Sequence, residues 1–431
     1  MVSRLAKWLM IGTVVGVMAG AGSAAFLAGL YWATDTREAN PWLLWWLPAG
    51  GLLIGWGYHR FGRDVEGGNN LLLERIHQPG GAVPWRMAPM IAIATVGTHL
   101  FGGSAGREGT AVQMGGGLAD GIARLLRLGP ADHRLVLISG ISGGFGAVFG
   151  TPLAGTIFGL EVLSVGRIRY DALIPCLTAA TVGDLVCRGL GIEHHEYVVG
   201  AVPDVTAGWL MWVLLAAIAF GLTGRVFAEL THLISRQVAG YVAVPWLRPF
   251  YGGMAVIGLT YLAGTRDYLG LSLPLIDRAF TTSDLFVGAF AWKTLFTSVT
   301  LGTGFKGGEV TPLFCIGATL GHAFATLTGQ PLATFAALGF VAVFAAAAKT
   351  PLACVLMGIE LFGAELAVPL MLACAIGFII SGRRGIYASQ RPDMPDTADM
   401  PDTPDSPNAP DADSAARISG NPCSTGRAGV R

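Results

Sequence analysis

The chain has 431 residues, 52% hydrophobic and 13% charged, with a mean hydropathy of +0.56 and a formal net charge of zero. About a quarter of the residues of an ordinary soluble domain are charged, so the composition excludes a soluble globular protein, and the balanced charge offers nothing to nucleic acid. Six cysteines stand singly, five in or beside apolar segments and Cys423 in a polar stretch. That pattern argues against a disulfide scaffold or a CxxC metal site, and the five read as small buried hydrophobes.

Trp8–Thr34 carries no charge and follows Arg4 and Lys7. It imitates a signal peptide but is too long for one, so it predicts a first transmembrane helix with its basic flank in the cytoplasm. Mainly apolar stretches follow at Trp42–Tyr58, Met87–Gly106, Leu135–Leu160, Ala172–Gly183, Trp209–Gly224, Met254–Leu262, Leu285–Trp292, Leu295–Gly304, Gln330–Ala348 and Leu352–Ile380. A spanning helix needs about 20 apolar residues, and several of these runs are clearly shorter or longer. Many are cut by glycine clusters such as Gly102-Gly103, Gly115-Gly116-Gly117 and Gly143-Gly144. Helices broken inside a membrane are tolerated where the freed backbone faces protein or a wet cavity, which makes them pointers to an ion site. Close helix packing competes as the explanation of any single glycine.

Glu193-His194-His195-Glu196 has the composition of a metal cluster, but its residues are consecutive rather than at helical spacing. It reads as a solvated connector. No HExxH, GxSxG or phosphate-loop motif occurs, so neither enzyme chemistry nor a cofactor or metal is expected. From Arg391 to Arg431 the composition changes to seven Asp and seven Pro, a segment expected to be disordered beyond a membrane domain of residues 1–390.

The chain also repeats itself. Thr151-Pro-Leu-Ala-Gly-Thr-Ile-Phe-Gly-Leu-Glu161 matches Thr350-Pro-Leu-Ala-Cys-Val-Leu-Met-Gly-Ile-Glu360. Gly106-Arg107-Glu108-Gly109-Thr110 lies upstream of the first copy and Gly307-Gly308-Glu309-Val310-Thr311 upstream of the second, at separations of 43 and 41 residues from Glu to Thr. Two repeat halves are expected, about 8–200 and 205–387. Transporter repeats commonly hold their site between them, although the match does not say whether the copies are parallel or inverted.

Arg107 and Glu108 end an uncharged run, where a charge near the bilayer centre costs about 2.5–3.5 kcal/mol on insertion scales. Glu108 precedes what reads as a helix start, where free N–H groups and the helix dipole stabilise an anion. A carboxylate there can compete with a permeant anion and leave on protonation, which couples anion to proton movement. An Arg107–Glu108 packing pair is the alternative. Asn69-Asn70, after Gly67-Gly68, offer amide and backbone donors at another helix start, with a plain N-cap as the competing reading. Tyr387 can aim a phenol into the same place or act as an interfacial anchor.

Together these motifs resemble the CLC family of anion channels and anion/proton antiporters. Gly106-Arg107-Glu108-Gly109-Thr110 is similar to its Gly-[Lys/Arg]-Glu-Gly-Pro, Gly144–Gly155 to its Gly-Phe-Gly-Ala-x-Phe-x-x-Pro-Leu-Ala-Gly, and Gly385-Ile386-Tyr387 to its pore-tyrosine segment. Asn69 stands where chloride-handling members have serine, Thr110 replaces a proline, Val162 replaces the inner proton glutamate, and Glu309-Val310-Thr311-Pro312 replaces Gly-x-Phe-x-Pro. That combination resembles the fluoride-exporting branch. The resemblance implies an all-α polytopic membrane fold of two inverted repeats with broken helices, in a homodimer in a bacterial inner membrane. It implies Glu108 as gate and proton carrier, with Glu309 as a second proton group or a helix cap. It further implies an anion path formed by Asn69, Asn70, Gly106, Arg107, Gly109, Thr110, Val310, Thr311 and Tyr387. Fluoride/proton antiport is the expected function, against a chloride-type antiporter or passive channel and, remotely, a metal-binding protein or enzyme built on His194-His195. No soluble regulatory domain is expected after Tyr387.

Overall fold

Helices account for almost all regular structure in the computed structural model, which describes residues 2–78, 81–165 and 168–392. In chain order they are α1 (Val2–Ala39), α2 (Leu47–Phe61), α3 (Asn69–His77), α4 (Met87–Leu100), α5 (Glu108–Leu125), α6 (Pro130–Phe149), α7 (Pro152–Glu161) and α8 (Leu173–Gly189). Then come α9 (Ala207–Tyr241), α10 (Arg248–Ala263), α11 (Leu273–Thr281), α12 (Ala289–Gly302), α13 (Val310–Thr328), α14 (Leu332–Ala348), α15 (Pro351–Phe362) and α16 (Ala367–Ile380). Four helices among the described residues are long and apolar enough to cross a membrane, and several others are shorter apolar segments. The expectation of disorder from Arg391 is corrected at its start, because the Arg391 and Pro392 backbone pairs in parallel with Ser164 and Val165; from residue 393 the Pro- and Asp-rich tail lies outside the described residues.

The apolar runs mark the helices but not their breaks. Leu135–Leu160 is two helices, because Gly150 takes a left-handed φ of +73° and Pro152 opens the next helix. The same break recurs at Lys349, φ +62°, before Pro351. A left-handed residue ends a helix and a proline in the first turn starts one. The runs also miss α3, α5, α11 and α13. The first three carry charged side chains along their length, and the apolar residues of α13 are interspersed with Thr, Gly and His.

Helix directions follow from the close approaches. Gly12, Gly16 and Gly20 of α1 pack on Thr178, Ala179 and Gly183 of α8, so the two helices run parallel. Lys7 of α1 pairs with Asp132 at the start of α6, which places the end of α5 on the face where α1 begins. His322 of α13 bonds the Ala279 carbonyl of α11, and α11 pairs with the connector after α8. Helix α13 therefore runs to the opposite face from α5. Their N-termini meet in the interior, where Gly106 and Gly308 exchange two backbone hydrogen bonds of 2.6 and 2.8 Å in an antiparallel bridge.

Lipid tails are as apolar as a leucine, so helices in a membrane associate through close packing and hydrogen bonds rather than the hydrophobic effect. Gly115 of α5 faces Gly140 of α6, and Gly317 of α13 faces Gly339 of α14. A Cβ on any of the four would collide with the facing carbonyl. Behind them lies an aromatic core in which Phe145 stacks on Phe158 at 4.2 Å and Phe314 on Phe340 at 4.0 Å between ring centroids.

Two carboxylates tie the matching segments together. Glu161, ending α7, accepts from the Leu352 and Ala353 N–H groups at the start of α15, at 3.1 and 2.9 Å. Glu360, near the end of α15, accepts from Leu153 and Ala154 at the start of α7, at 2.9 and 2.8 Å. Each segment thus caps the other's N-terminus and satisfies helix N–H groups that have no intrahelical partner. Glu360→Ala strips two donors of their acceptor, and about 1–3 kcal/mol of stability should be lost. Thermal unfolding of the detergent-solubilised protein measures this, and Glu161→Ala should cost a similar amount.

Candidate functional site

Arg107 precedes the first turn of α5 with φ −112° and ψ −26°, a bend that turns its side chain back over Glu108. Neighbouring residues seldom face one another on a helix, but this one lies just outside it. The guanidinium Nε donates to Glu108 Oε1 at 3.3 Å and Nη1 to the Tyr31 hydroxyl at 3.3 Å. The pairing alternative is therefore realised, and it is only part of the arrangement. Glu108 is wholly buried. Its Oε2 accepts from the Thr311 N–H at 2.9 Å and the Arg107 N–H at 3.2 Å, and the Thr311 hydroxyl lies 2.6 Å from both carboxylate oxygens. A carboxylate at the start of α5 thus occupies the N-terminus of α13, where free N–H groups and the helix dipole hold an anion.

Asn69, first residue of α3, leaves its Oδ1 buried without a partner, and so does Glu309 with its Oε2. Both side chains point at Gly109: a Cβ there would sit 3.1 Å from Asn69 Nδ2 and 3.4 Å from Glu309 Oε2. Only a glycine leaves that space open. Two small cavities lie in this region, only the first of them lined by Glu108. One, of about 20 Å³, is lined by Arg107, Glu108, Thr311 and the connector residues His195 and Tyr197. The other, of about 10 Å³, is lined by Asn69, Val112, Val162 and Tyr387. Asn69 and Glu309 thus converge on Gly109, Thr311 and Arg107 hold Glu108, and Tyr387 shares the second cavity with Asn69.

The remaining expected positions face elsewhere. Asn70 accepts from the Ser389 N–H at 3.1 Å, which fixes the segment beyond Tyr387. The Thr110 hydroxyl pairs with Thr95 of α4 at 2.7 Å. Val310 is buried in the core at the first turn of α13. The Glu193–Glu196 connector is not freely solvated: His194 pairs with Asp184 at 3.3 Å and His195 with Asp277 at 2.6 Å. No group among the described residues has the make-up to hold a metal ion.

The family described as "Voltage gated chloride channel" matches residues 50–382. The chain belongs to that family. A curated relative, the chloride/fluoride channel protein of Pseudomonas syringae, is 49% identical over 395 residues, 90% of this chain and 87% of the relative. The solved structure of a CLC-type fluoride/proton antiporter superposes with a TM-score of 0.88 at 32% identity, covering 91% of this chain and all of that one. A slow cyanobacterial Cl⁻/H⁺ antiporter shares the fold at a TM-score of 0.76 and 21% identity, over 88% of this chain and 96% of that one. The all-α fold of a CLC-type membrane protein is thereby established.

In this CLC-type chain the loop that carries Glu108 hangs on residues that motif reading passed over. Lys293 of α12 is fully buried and donates to Ser104 Oγ, the Gly270 carbonyl and Ser272 Oγ at 2.8–2.9 Å, and to the Tyr268 carbonyl at 3.2 Å. Ser104 in turn bonds Thr297 at 2.9 Å. Both ring nitrogens of His99 face carbonyls, of Thr95 and Ala105, at 2.8 and 2.9 Å. The signal for Lys293 was in the sequence: it separates the runs Leu285–Trp292 and Leu295–Gly304, and an ionisable residue in such a place is functional or structural by default. Lys293→Met removes a charged donor from several acceptors at once and should cost at least about 2 kcal/mol, read as a lower unfolding midpoint in detergent. Lys293→Arg, too bulky for a fully enclosed site, should not restore it.

Proposed function

We propose that the chain is a fluoride/proton antiporter that exports fluoride at the expense of inward proton movement. The observation that carries this reading is the Glu108 carboxylate held by Thr311 N–H, Thr311 Oγ1 and Arg107 N–H, donors that would equally hold a small anion. Ionised, Glu108 occupies the site. Protonated, it loses most of its attraction to these donors, swings away and admits the substrate, so one proton and one anion compete for one set of hydrogen bonds. The relatives point to the same ion, since one is named a chloride/fluoride channel protein and another a fluoride/proton antiporter.

Fluoride is small and strongly hydrated, and a site built of amide, hydroxyl and N–H donors replaces that water. Asn69 supplies the selecting amide, and Glu309, with a free carboxyl oxygen, is the second proton group on the side where Val162 lacks a carboxylate. Fluoride also enters cells as neutral HF and is trapped as the anion at neutral pH, so an exporter driven by protons opposes that accumulation. We read the face where α1 begins, which carries Lys7, Arg124 and Arg127, as the cytoplasmic one, with the N-terminus on that side. We take the working unit to be a homodimer in a bacterial inner membrane, with two repeat halves spanning about 8–200 and 205–387. The second reading is a passive channel, favoured by Val162 and by the relative named a channel.

Purified protein in liposomes should move fluoride much faster than chloride, with a reversal potential that follows both the fluoride and the pH gradient. Equal rates for the two ions would reject fluoride selectivity, and a reversal potential set by the anion alone would establish the channel. Glu108→Gln keeps the shape but cannot ionise, and should reduce proton-coupled flux at least 100-fold. Asn69→Ser should raise chloride flux relative to fluoride.

A further inference from the structure

Glu108 is wholly enclosed, yet on the proposed cycle it must take up a proton from the outer solution in every turnover. The connector between α8 and α9 closes the path on that side. It emerges where α8 ends, on the same face as the end of α1, and crosses beneath α11. His195 in this connector lies at the rim of the cavity that ends on Glu108, and 42% of its side chain is exposed. Its Nε2 lies 2.6 Å from Asp277 Oδ1 of α11, and its ring packs edge-on against Tyr197 at 4.7 Å between centroids. Tyr197 is wedged among Phe280, Phe340 and Phe362 and lines the same cavity.

We propose that His195 is the outer proton-transfer residue of the exchange cycle, passing protons from solution to Glu108 through the cavity both of them line. The proposal rests on the antiport reading above. A cavity of about 20 Å³ accommodates a single water, enough to bridge an imidazole and a carboxylate. The imidazole accepts a proton from hydronium or buffer and gives one up to that water, which protonates Glu108; the imidazole returns to its starting form and no other group is consumed. The ionisable groups that face this path are Asp277 from α11, Tyr197 from the connector itself, and Arg107 and Glu108 at the start of α5. Helices α6, α13 and α14 contribute only phenylalanines and Thr311. Asp277 orients the ring. Histidine suits the role because its ordinary titration range spans pH 5 to 8.

The test is His195→Gln, which keeps a hydrogen bond to Asp277 and cannot relay a proton, in full-length protein reconstituted in liposomes. Fluoride-coupled proton flux should fall about 10-fold in weak outer buffer near neutral pH, and carnosine added outside, an imidazole buffer that does not cross the bilayer, should restore it. Wild-type flux in weak buffer would overturn the relay, and so would a loss that carnosine leaves unchanged, which marks a structural strap. Glu108→Gln measured alongside separates the two ideas. If it still exchanges protons at the wild-type rate the antiport reading itself fails, whereas loss of exchange there with no effect of His195→Gln rejects only the relay.

Discussion

Everything in this molecule is arranged around two backbone hydrogen bonds between Gly106 and Gly308. They join two loops in the interior of a helical assembly, at a depth where an unpaired N–H or C=O is costly and irregular backbone survives only inside protein. Because the bridge is antiparallel, α5 and α13 leave it toward opposite faces, and their N-termini stay side by side. Glycine is required on both strands. A Cβ on Gly106 would press on Pro312 and Gly308, and one on Gly308 would sit 2.7 Å from the Gly109 nitrogen.

That geometry concentrates positive potential where the two helices start, and the protein fills it with its own anion. Glu108 belongs to α5 but neutralises the start of α13. The Glu161 and Glu360 pair repeats the device farther out, each carboxylate capping the helix of the other copy. The two cases differ in their donors. Glu161 and Glu360 each receive two backbone N–H bonds from consecutive residues, a fixed bidentate cap. Glu108 receives one backbone bond from Thr311 and one long one from Arg107, and completes its shell with the Arg107 guanidinium and the Thr311 hydroxyl, both side-chain donors.

Much of this was legible in the sequence. A charge beside glycine at the end of an apolar run singled out Glu108, because burying it is costly, and the repeated Gly-X-Glu element singled out Glu309. The matching Thr-Pro-Leu-Ala segments revealed the repeat. Its direction was not legible, since residue identity does not record which way a helix crosses a membrane; that follows from contacts such as Lys7 with Asp132 and His322 with Ala279. Neither were the roles of the two histidines. His195 finds its partner 82 residues away on α11, and a string of polar residues between apolar runs reads as solvated unless that partner is known. Asn70 and Thr110 were grouped with the site by adjacency, whereas the helical turn of about 100° per residue points them at Ser389 and Thr95 instead.

The two small cavities explain why exchange rather than free flow is the natural outcome of this geometry. Cavities of about 20 and 10 Å³ hold at most one water each, so an ion that enters them must shed most of its hydration and be held by protein donors. The richest set of donors, at Thr311 and Arg107, is already occupied by Glu108, and two anions cannot share it without severe repulsion in so dry a setting. The substrate therefore advances only when the carboxylate is neutralised, and neutralising it requires a proton. Asn69 and Glu309 converge on the bare Gly109 beside Glu108, each with a buried oxygen that has no partner.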